Sequence, residues 1–343
     1  MDPDSRTAIT ENALLGQAVG DAFGVPVEFL SREGVRLIDL RVMTGSDSEP
    51  KIHSRWGDLI PRGSWSDDTS MTVASMVSFI RKQGRIDYPD QLARFVRWWN
   101  AGEYCCLSYP FGLGGNIAAS LQRYRDGTPA LECGGKSLMD NGNGALMRIL
   151  PFSLYCIFNE LSEEETVTVT GNGSAITHGH EISRMCCFIW TEFLRSLSEN
   201  NQGIRRMPDS VRLDKAIDRI EELPYRKWFS GSTAEELSFI TDKKIRTLSE
   251  RDIHETGYVV DTLYSALYSL MHADSFEMSI RNAIGLGYDT DTAGAVTGTA
   301  AGILYGFGGI PKPWLDVLKK QDYLRSVASD FAKCVLCRNG NSR

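Results

Sequence analysis

The chain has 343 residues, 42% hydrophobic and 24% charged, an ordinary globular mixture with length enough for one large domain or two smaller ones. A net charge of −7 and a pI near 5.4 leave no basic field to hold nucleic acid by its phosphates. The opening MDPDSRTAIT lacks a basic segment followed by an apolar one, so no secretory signal is expected and a cytoplasmic location is.

Along the chain, apolar residues recur with a period near 3.6. This predicts helices over 8–22, 69–83, 88–101, 115–126, 144–158, 181–198, 256–272, 275–285, 290–305 and 314–335. The best strand-like alternation, ETVTVTG at 165–171, is isolated. The expected fold is therefore all-α, a compact multi-helix bundle forming a single domain over 8–336. Residues 30–65 are rich in Gly, Pro, Ser and Asp, and a loop of that length is usually functional or an insertion. Residues 200–252 are polar and charged, with DKAIDRIEELPYRKW reading as a surface helix, so they form an elaboration rather than a second domain. The uncharged run 293–310 has the length of a membrane span. Its glycine content and polar interruptions predict a buried helix instead, and no membrane partner. The eight cysteines show no framework spacing: Cys105–Cys106 and Cys186–Cys187 are adjacent pairs. CVLC at Cys334–Cys337 lacks the second pair or histidine of a zinc site, and free thiols in a reducing cytosol are expected.

Two acidic clusters stand at helix starts. In WSDDTSMTVASM, Ser66, Asp67 and Asp68 precede an apolar-periodic run; Ser or Asp there is also an ordinary N-cap. In YDTDT, Asp289, Asp291 and Thr292 open the next such run. A cap uses one side chain, and each cluster offers two carboxylates plus hydroxyls. Four carboxylates gathered among Gly- and Ala-rich helices would repel one another and resist desolvation unless divalent cations neutralised them. An all-oxygen set without Cys or His selects magnesium, manganese or calcium. Gly294, Gly298, Gly302 and Gly306 recur every fourth residue, and so do Gly16, Gly20 and Gly24. Such bare ridges let helices approach closely. The second ladder ends near Glu28, an acid in apolar surroundings suited either to proton transfer or simply to a surface turn. Asn141-Gly142-Asn143-Gly144 leads into a helix and reads as an anion-binding loop or as an Asn-Gly turn. FGLGGNIAAS at 111–120 is a similar Gly-rich helix start. In ITHGHEISR, His178 and His180 would not share a helix face, which favours hydrogen bonding over zinc ligation.

In chain order, LLGQAVGDAFGVPVEF (14–29), WSDDTSM (65–71), NGNGALMRILP (141–151), THGH (177–180), GYVVDTL (257–263) and GYDTDTAGAVTGTAAGILYG (287–306) together resemble the ADP-ribosylglycohydrolase family. Each motif is unspecific, but the ordered set is highly specific. The resemblance implies an all-α hydrolase with two metal ions, usually magnesium and sometimes manganese, held by Ser66, Asp67, Asp68, Asp289, Asp291 and Thr292. It implies that Glu28 lies on a mobile segment over the metals, making 28–64 a candidate lid. It makes Asn141, Gly142, Asn143 and Gly144 a pyrophosphate cradle and His178 a substrate contact. Tyr288 stands where members commonly have Gly, a departure that bears on substrate preference. Glu28, Asp68 and Asp291 are the candidate catalytic residues for water attack on the anomeric carbon, releasing ADP-ribose, commonly from arginine. The expected partner is an ADP-ribosylated protein or an ADP-ribose-containing small molecule. The rivals are O-linked ADP-ribose hydrolysis, an immunity protein that blocks an ADP-ribosylating toxin, and a protein that only binds ADP-ribose.

Overall fold

The computed structural model describes residues 1–49, 51–199, 207–254 and 256–336. Helix α1 (Pro3–Gly24) begins earlier than its apolar pattern suggests, because Asp2 accepts from Ser5 N and Pro3 sits in the first turn. A long loop carrying α2 (Arg32–Arg36) leads to α3 (Asp67–Arg81), whose cap is Ser66. Helix α4 (Tyr88–Ala101) is capped by Asp87 and closed by Gly102 at φ 65°. Then follow α5 (Gly115–Arg125), α6 (Leu150–Phe158), α7 (Glu163–Ala175), α8 (Glu181–Glu199) and α9 (Asp209–Glu221). The chain continues through α10 (Gly231–Glu236), α11 (Ser238–Thr241), α12 (Val259–Met271) and α13 (Phe276–Gly285). It ends with α14 (Thr290–Tyr305), α15 (Lys312–Val317) and α16 (Gln321–Leu336). The fold is all-α, and the described residues contain no strand beyond two isolated bridges. The buried apolar side chains, from Ile9 to Val335, form one connected core.

Four sequence expectations need correction. The strand-like ETVTVTG lies inside α7, where Ser162 and Glu165 cap each other's backbone in a capping box. Its buried positions Thr166, Thr170, Gly171, Gly173 and Ser174 follow a helical face, so tertiary burial overrides the alternation of β-branched residues. The helix expected over 144–158 is a 3₁₀ turn at Leu146–Arg148 followed by α6, with Pro151 in the first turn. The helix expected over 314–335 is broken between α15 and α16. There Lys320 adopts φ 53° and Lys319 N donates to Gly63 O at 2.8 Å. The expected surface helix in the charged segment is α9, shifted toward the N-terminus and ending before Pro224. It is moored by the buried Arg212, whose Nη2 donates to Leu197 O (2.9 Å) and Ile303 O (3.1 Å) near the C-termini of α8 and α14.

The helix through the uncharged run stops at Gly306 (φ 74°), and no described helix is long and apolar enough to cross a membrane. Cys337, the second cysteine of CVLC, lies outside the described residues; Cys105, Cys106, Cys133, Cys156, Cys186, Cys187 and Cys334 are free thiols.

At the centre, α1 and α14 run antiparallel with their glycine ladders face to face. A Cβ on Gly20 would fall 1.9 Å from Gly294 O, one on Gly16 2.2 Å from Gly298 O, and one on Gly24 2.3 Å from Thr290 O. Backbone therefore lies against backbone along most of both helices. The contact runs to the start of α14, which brings Asp21 of α1 to the acids of 289–291.

Candidate active site

The first turn of α3, the first turn of α14 and the C-terminal part of α1 converge beneath one cavity. It has a volume of about 940 Å³, and its lining includes Glu28, Asp67, Asp68, Asp289, Asp291 and Thr292. Gly142, Asn143, Gly144, His178 and Tyr288 line the same cavity, with Trp56, Phe111 and Asn116. Two sequence candidates stand behind it. Ser66 is buried and caps α3, donating from Oγ to Asp68 Oδ2 at 3.0 Å. Asn141 is scaffold in this arrangement: its Nδ2 donates to Leu138 O (3.0 Å) and its Oδ1 accepts from Ser183 Oγ (2.9 Å). His180 is turned to its own helix start, where Nδ1 accepts from Ile182 N at 3.3 Å.

The carboxylates form two trios. Oxygens of Asp21, Asp68 and Asp291 lie within 4.8 Å of one another, and so do oxygens of Glu28, Asp289 and Asp291. Asp291 belongs to both. Asp289 is steadied by Asn143, whose Nδ2 donates to its Oδ2 at 2.7 Å and to Thr262 Oγ1 at 2.9 Å. Glu28 accepts a hydrogen bond at Oε2 from the indole N–H of Trp56. Asp67 abuts the backbone of Gly112, where a Cβ would sit 2.1 Å from its Oδ1.

Asp21 was not visible as a site residue in the sequence. It accepts at Oδ1 from Ser66 N (2.8 Å), and at Oδ2 from Thr69 N (3.1 Å) and Thr69 Oγ1 (2.6 Å). Both its oxygens are thus committed to the start of α3. Although it sits in the first trio, its hydrogen bonds make it a brace on Ser66 and Thr69, the residues that flank Asp67 and Asp68. The available signal was an acid on an otherwise apolar helix face, directly after a glycine of the ladder.

Burial drives the electrostatics. It pushes Glu28 up to about 9, with help from the charges of Asp289 and Asp67. Burial, then Asp21, raises Asp67 to about 8, and burial raises Asp21 to about 6 against its hydrogen bonds. Asp68 and Asp291 rise well above the carboxylate range for the same reason, reinforced by the surrounding acids. Asp68 Oδ1 is buried with no hydrogen-bond partner. Arg55 lines the same cavity, and its charge opposes the rise at Glu28. Several buried carboxylates at such spacing, one with an orphaned oxygen, are the donor set that a hard divalent cation neutralises.

Beside the acids, where Asn143 bonds to Asp289, the His178 ring rests against the glycine-rich loop. A Cβ on Gly142 would approach His178 Nε2 to 3.3 Å, and one on Gly144 would approach its Cε1 to 2.9 Å and Ile117 Cδ1 to 2.8 Å. Gly144 in particular leaves room for this ring. Asn143 N donates to Gly257 O (2.9 Å) and Val259 N to Asn141 O (3.0 Å), pinning the loop to the start of α12.

At the rim, Tyr288 and Phe29 both hold left-handed backbone, φ 53° and 69°. Phe29 N donates to Tyr288 O and Tyr288 N to Leu30 O, each at 2.7 Å. These two bonds staple the Glu28 segment to the Asp289 segment and leave both rings half exposed.

The ADP-ribosylglycohydrolase family model matches residues 2–339, and the chain belongs to that family and is a glycohydrolase. It is 30% identical over 323 residues to an ADP-ribosylarginine hydrolase of Serratia proteamaculans, covering 94% of this chain and 78% of that protein. It is 28% identical over 309 residues to the ADP-ribosyl-[dinitrogen reductase] glycohydrolase of Rhodospirillum rubrum, covering 89% of this chain and 88% of that one. A solved ADP-ribosylglycohydrolase-related protein complex superposes with a TM-score of 0.72 at 25% identity, covering 97% of this chain and 100% of that one.

Proposed function

We propose that this protein hydrolyses the N-glycosidic bond joining ADP-ribose to an arginine side chain, with two divalent cations, magnesium or manganese, held at the acidic floor of the cavity. The observation that carries the reading is the pair of carboxylate trios sharing Asp291, in a cavity that the glycine-rich loop and His178 also line. The arginine linkage is supported by the Serratia proteamaculans relative, which is named an ADP-ribosylarginine hydrolase. The cations would be held by Asp67, Asp68, Asp289 and Asp291, with Thr292 beside them in the lining, while the Ser66 hydroxyl holds Asp68 from behind.

Divalent ions bound there supply Lewis acidity toward ribose hydroxyls and lower the pKa of a water. The chain's own groups do the rest. The loop Gly142–Gly144 and His178 receive the diphosphate, which sets the ribose over the acids. With Oε2 of Glu28 accepting from Trp56, a proton on this acid sits at Oε1, available to the departing guanidine nitrogen. Water oxygen becomes the new anomeric hydroxyl, the C–N bond breaks, the free arginine side chain leaves with the proton Glu28 donated, and the second proton of the water returns Glu28 to its acid form.

The test is incubation with matched ADP-ribosyl-arginine and ADP-ribosyl-serine peptides, with and without magnesium. The account expects ADP-ribose from the arginine peptide only, and only with metal. Release from serine alone would replace the linkage. Tight ADP-ribose binding with no release from either peptide would replace the activity.

A further inference from the structure

Arg148 is a fully buried arginine without a carboxylate partner among the described residues, an arrangement that is costly unless it serves something. Its guanidinium lies over the Phe95 ring at 5.1 Å, and its Nε and Nη1 have no hydrogen-bond partner. Nη2 donates to Gly173 O at 3.1 Å and to Thr177 Oγ1 at 2.5 Å. Thr177 Oγ1 in turn lies 2.9 Å from His178 Nδ1. The other edge of that imidazole borders the cavity beside Gly142 and Gly144.

The hydroxyl of Thr177 carries one proton. An arginine always donates, so the Arg148 contact occupies a lone pair on Oγ1. Were His178 also to donate from Nδ1, the Thr177 proton would be left buried and unused, an expensive arrangement. If Thr177 instead donates to Nδ1, both of these side chains are satisfied and the imidazole proton must lie on Nε2. Protonating both nitrogens is disfavoured independently: burial and the Arg148 charge hold His178 down to about 3.

We propose that Arg148 is a positioning residue which, acting through Thr177, fixes His178 as a neutral Nε2–H donor aimed at the ligand held by the glycine-rich loop. The group it recognises is an acceptor oxygen, and beside this loop that means the diphosphate of ADP-ribose, so the ligand half of the inference rests on the function proposed above. Backbone contacts keep the ring in register. His178 N donates to Ser174 O (2.8 Å), Ser174 Oγ donates to His178 O (2.8 Å), and Ser120 Oγ donates to Thr177 O (2.9 Å). The arginine in NGNGALMRILP thereby acquires a role: it lies four residues past the loop it serves.

The test pairs ¹⁵N NMR of the histidine ring with ADP-ribose titration in wild type, Thr177→Val and Thr177→Ser, after thermal melts show that each is folded. The wild type should show the Nε2–H tautomer. Thr177→Val should lose that tautomer's dominance and bind ADP-ribose roughly tenfold more weakly, the worth of one hydrogen bond to a charged group. KM should rise with it while kcat changes less. Thr177→Ser should restore both the tautomer and the affinity. An Nδ1–H tautomer in wild type, or unchanged tautomer and affinity in the valine variant, overturns the proposal. A wild type with the Nε2–H tautomer but no ADP-ribose binding would overturn the ligand assignment, and with it the proposed function, while leaving the Arg148–Thr177–His178 relay standing.

Discussion

Asp291 is the one acid common to both trios, so it is where a single side chain changes most. Asp291→Asn should keep the fold and lower kcat/KM on the order of a thousandfold, equivalent to about 4 kcal/mol of lost transition-state stabilisation. Steady-state kinetics on an ADP-ribosyl-arginine peptide checks this, and near-normal turnover would contradict it. Tyr288 tests a different property. Its φ of 53° costs an L-residue roughly 1–2 kcal/mol that glycine avoids. Because glycine is also freer in the unfolded chain, Tyr288→Gly should leave stability within about 1 kcal/mol of wild type. The half-exposed ring borders the cleft, so KM for peptide substrates should shift severalfold. A large fall in Tm would show that the ring, not the backbone, governs this position. The two acid clusters were legible because capping needs fewer polar residues than these helix starts carry, whereas Gly142, Asn143, Gly144 and His178 were singled out by the family resemblance and not by their local pattern. Asp21 and Arg148 were not. One is an acid inside a helix and the other an arginine in an apolar run, and only burial and partner geometry show what they do.

Among the elements, the contact of α1 with α14 decides whether the site forms. Gly20→Ala and Gly294→Ala each drive a methyl into a carbonyl oxygen of the facing helix, at 1.9 and 2.3 Å. Neither helix can yield without moving Asp21 or Asp291, so each substitution should cost at least about 3 kcal/mol. Gly285→Ala, at the end of α13 with open space around it, is the matched control. It should be neutral or stabilising by up to about 1 kcal/mol. Denaturant midpoints compare the three; equal losses at all three positions would mean that close approach is not the reason for the ladder. The periodicity of four glycines was readable, but not which helix met which, since spacing alone does not name a partner. The same limit applies to ETVTVTG, whose alternation says nothing of the capping box and buried face that make it helical.

Across the whole molecule, the acidic floor ties stability to pH and to cations. Glu28, Asp67 and Asp21 sit near 9, 8 and 6, above the value of about 4 for an unfolded carboxyl. Their native-state protons favour folding below about pH 4, and that contribution is lost as pH rises through 6 to 9. His178 acts in the opposite direction. Held near 3 against about 6.5 when unfolded, it favours the fold above 6.5 and loses that contribution as pH falls toward 3. Chelator-treated protein should therefore melt progressively lower from pH 6 to pH 9. Added magnesium should raise Tm more at pH 8 than at pH 5, because cations replace protons on these acids. Thermal melts across that range check both, and a magnesium shift that does not depend on pH would contradict the assignment. The helical class was clear from apolar periodicity, whereas this coupling depends on several acids becoming buried together, which no local pattern reports.

The central claim is that these acids hold cations that act on ADP-ribosyl-arginine. Its most direct test is ADP-ribose release from one such peptide by chelator-stripped wild type and Asp291→Asn during magnesium add-back. The account predicts no release without metal, saturable recovery in wild type, and recovery lower on the order of a thousandfold in the variant at matched magnesium. Turnover by the stripped wild type, or equal recovery in both proteins, would contradict it.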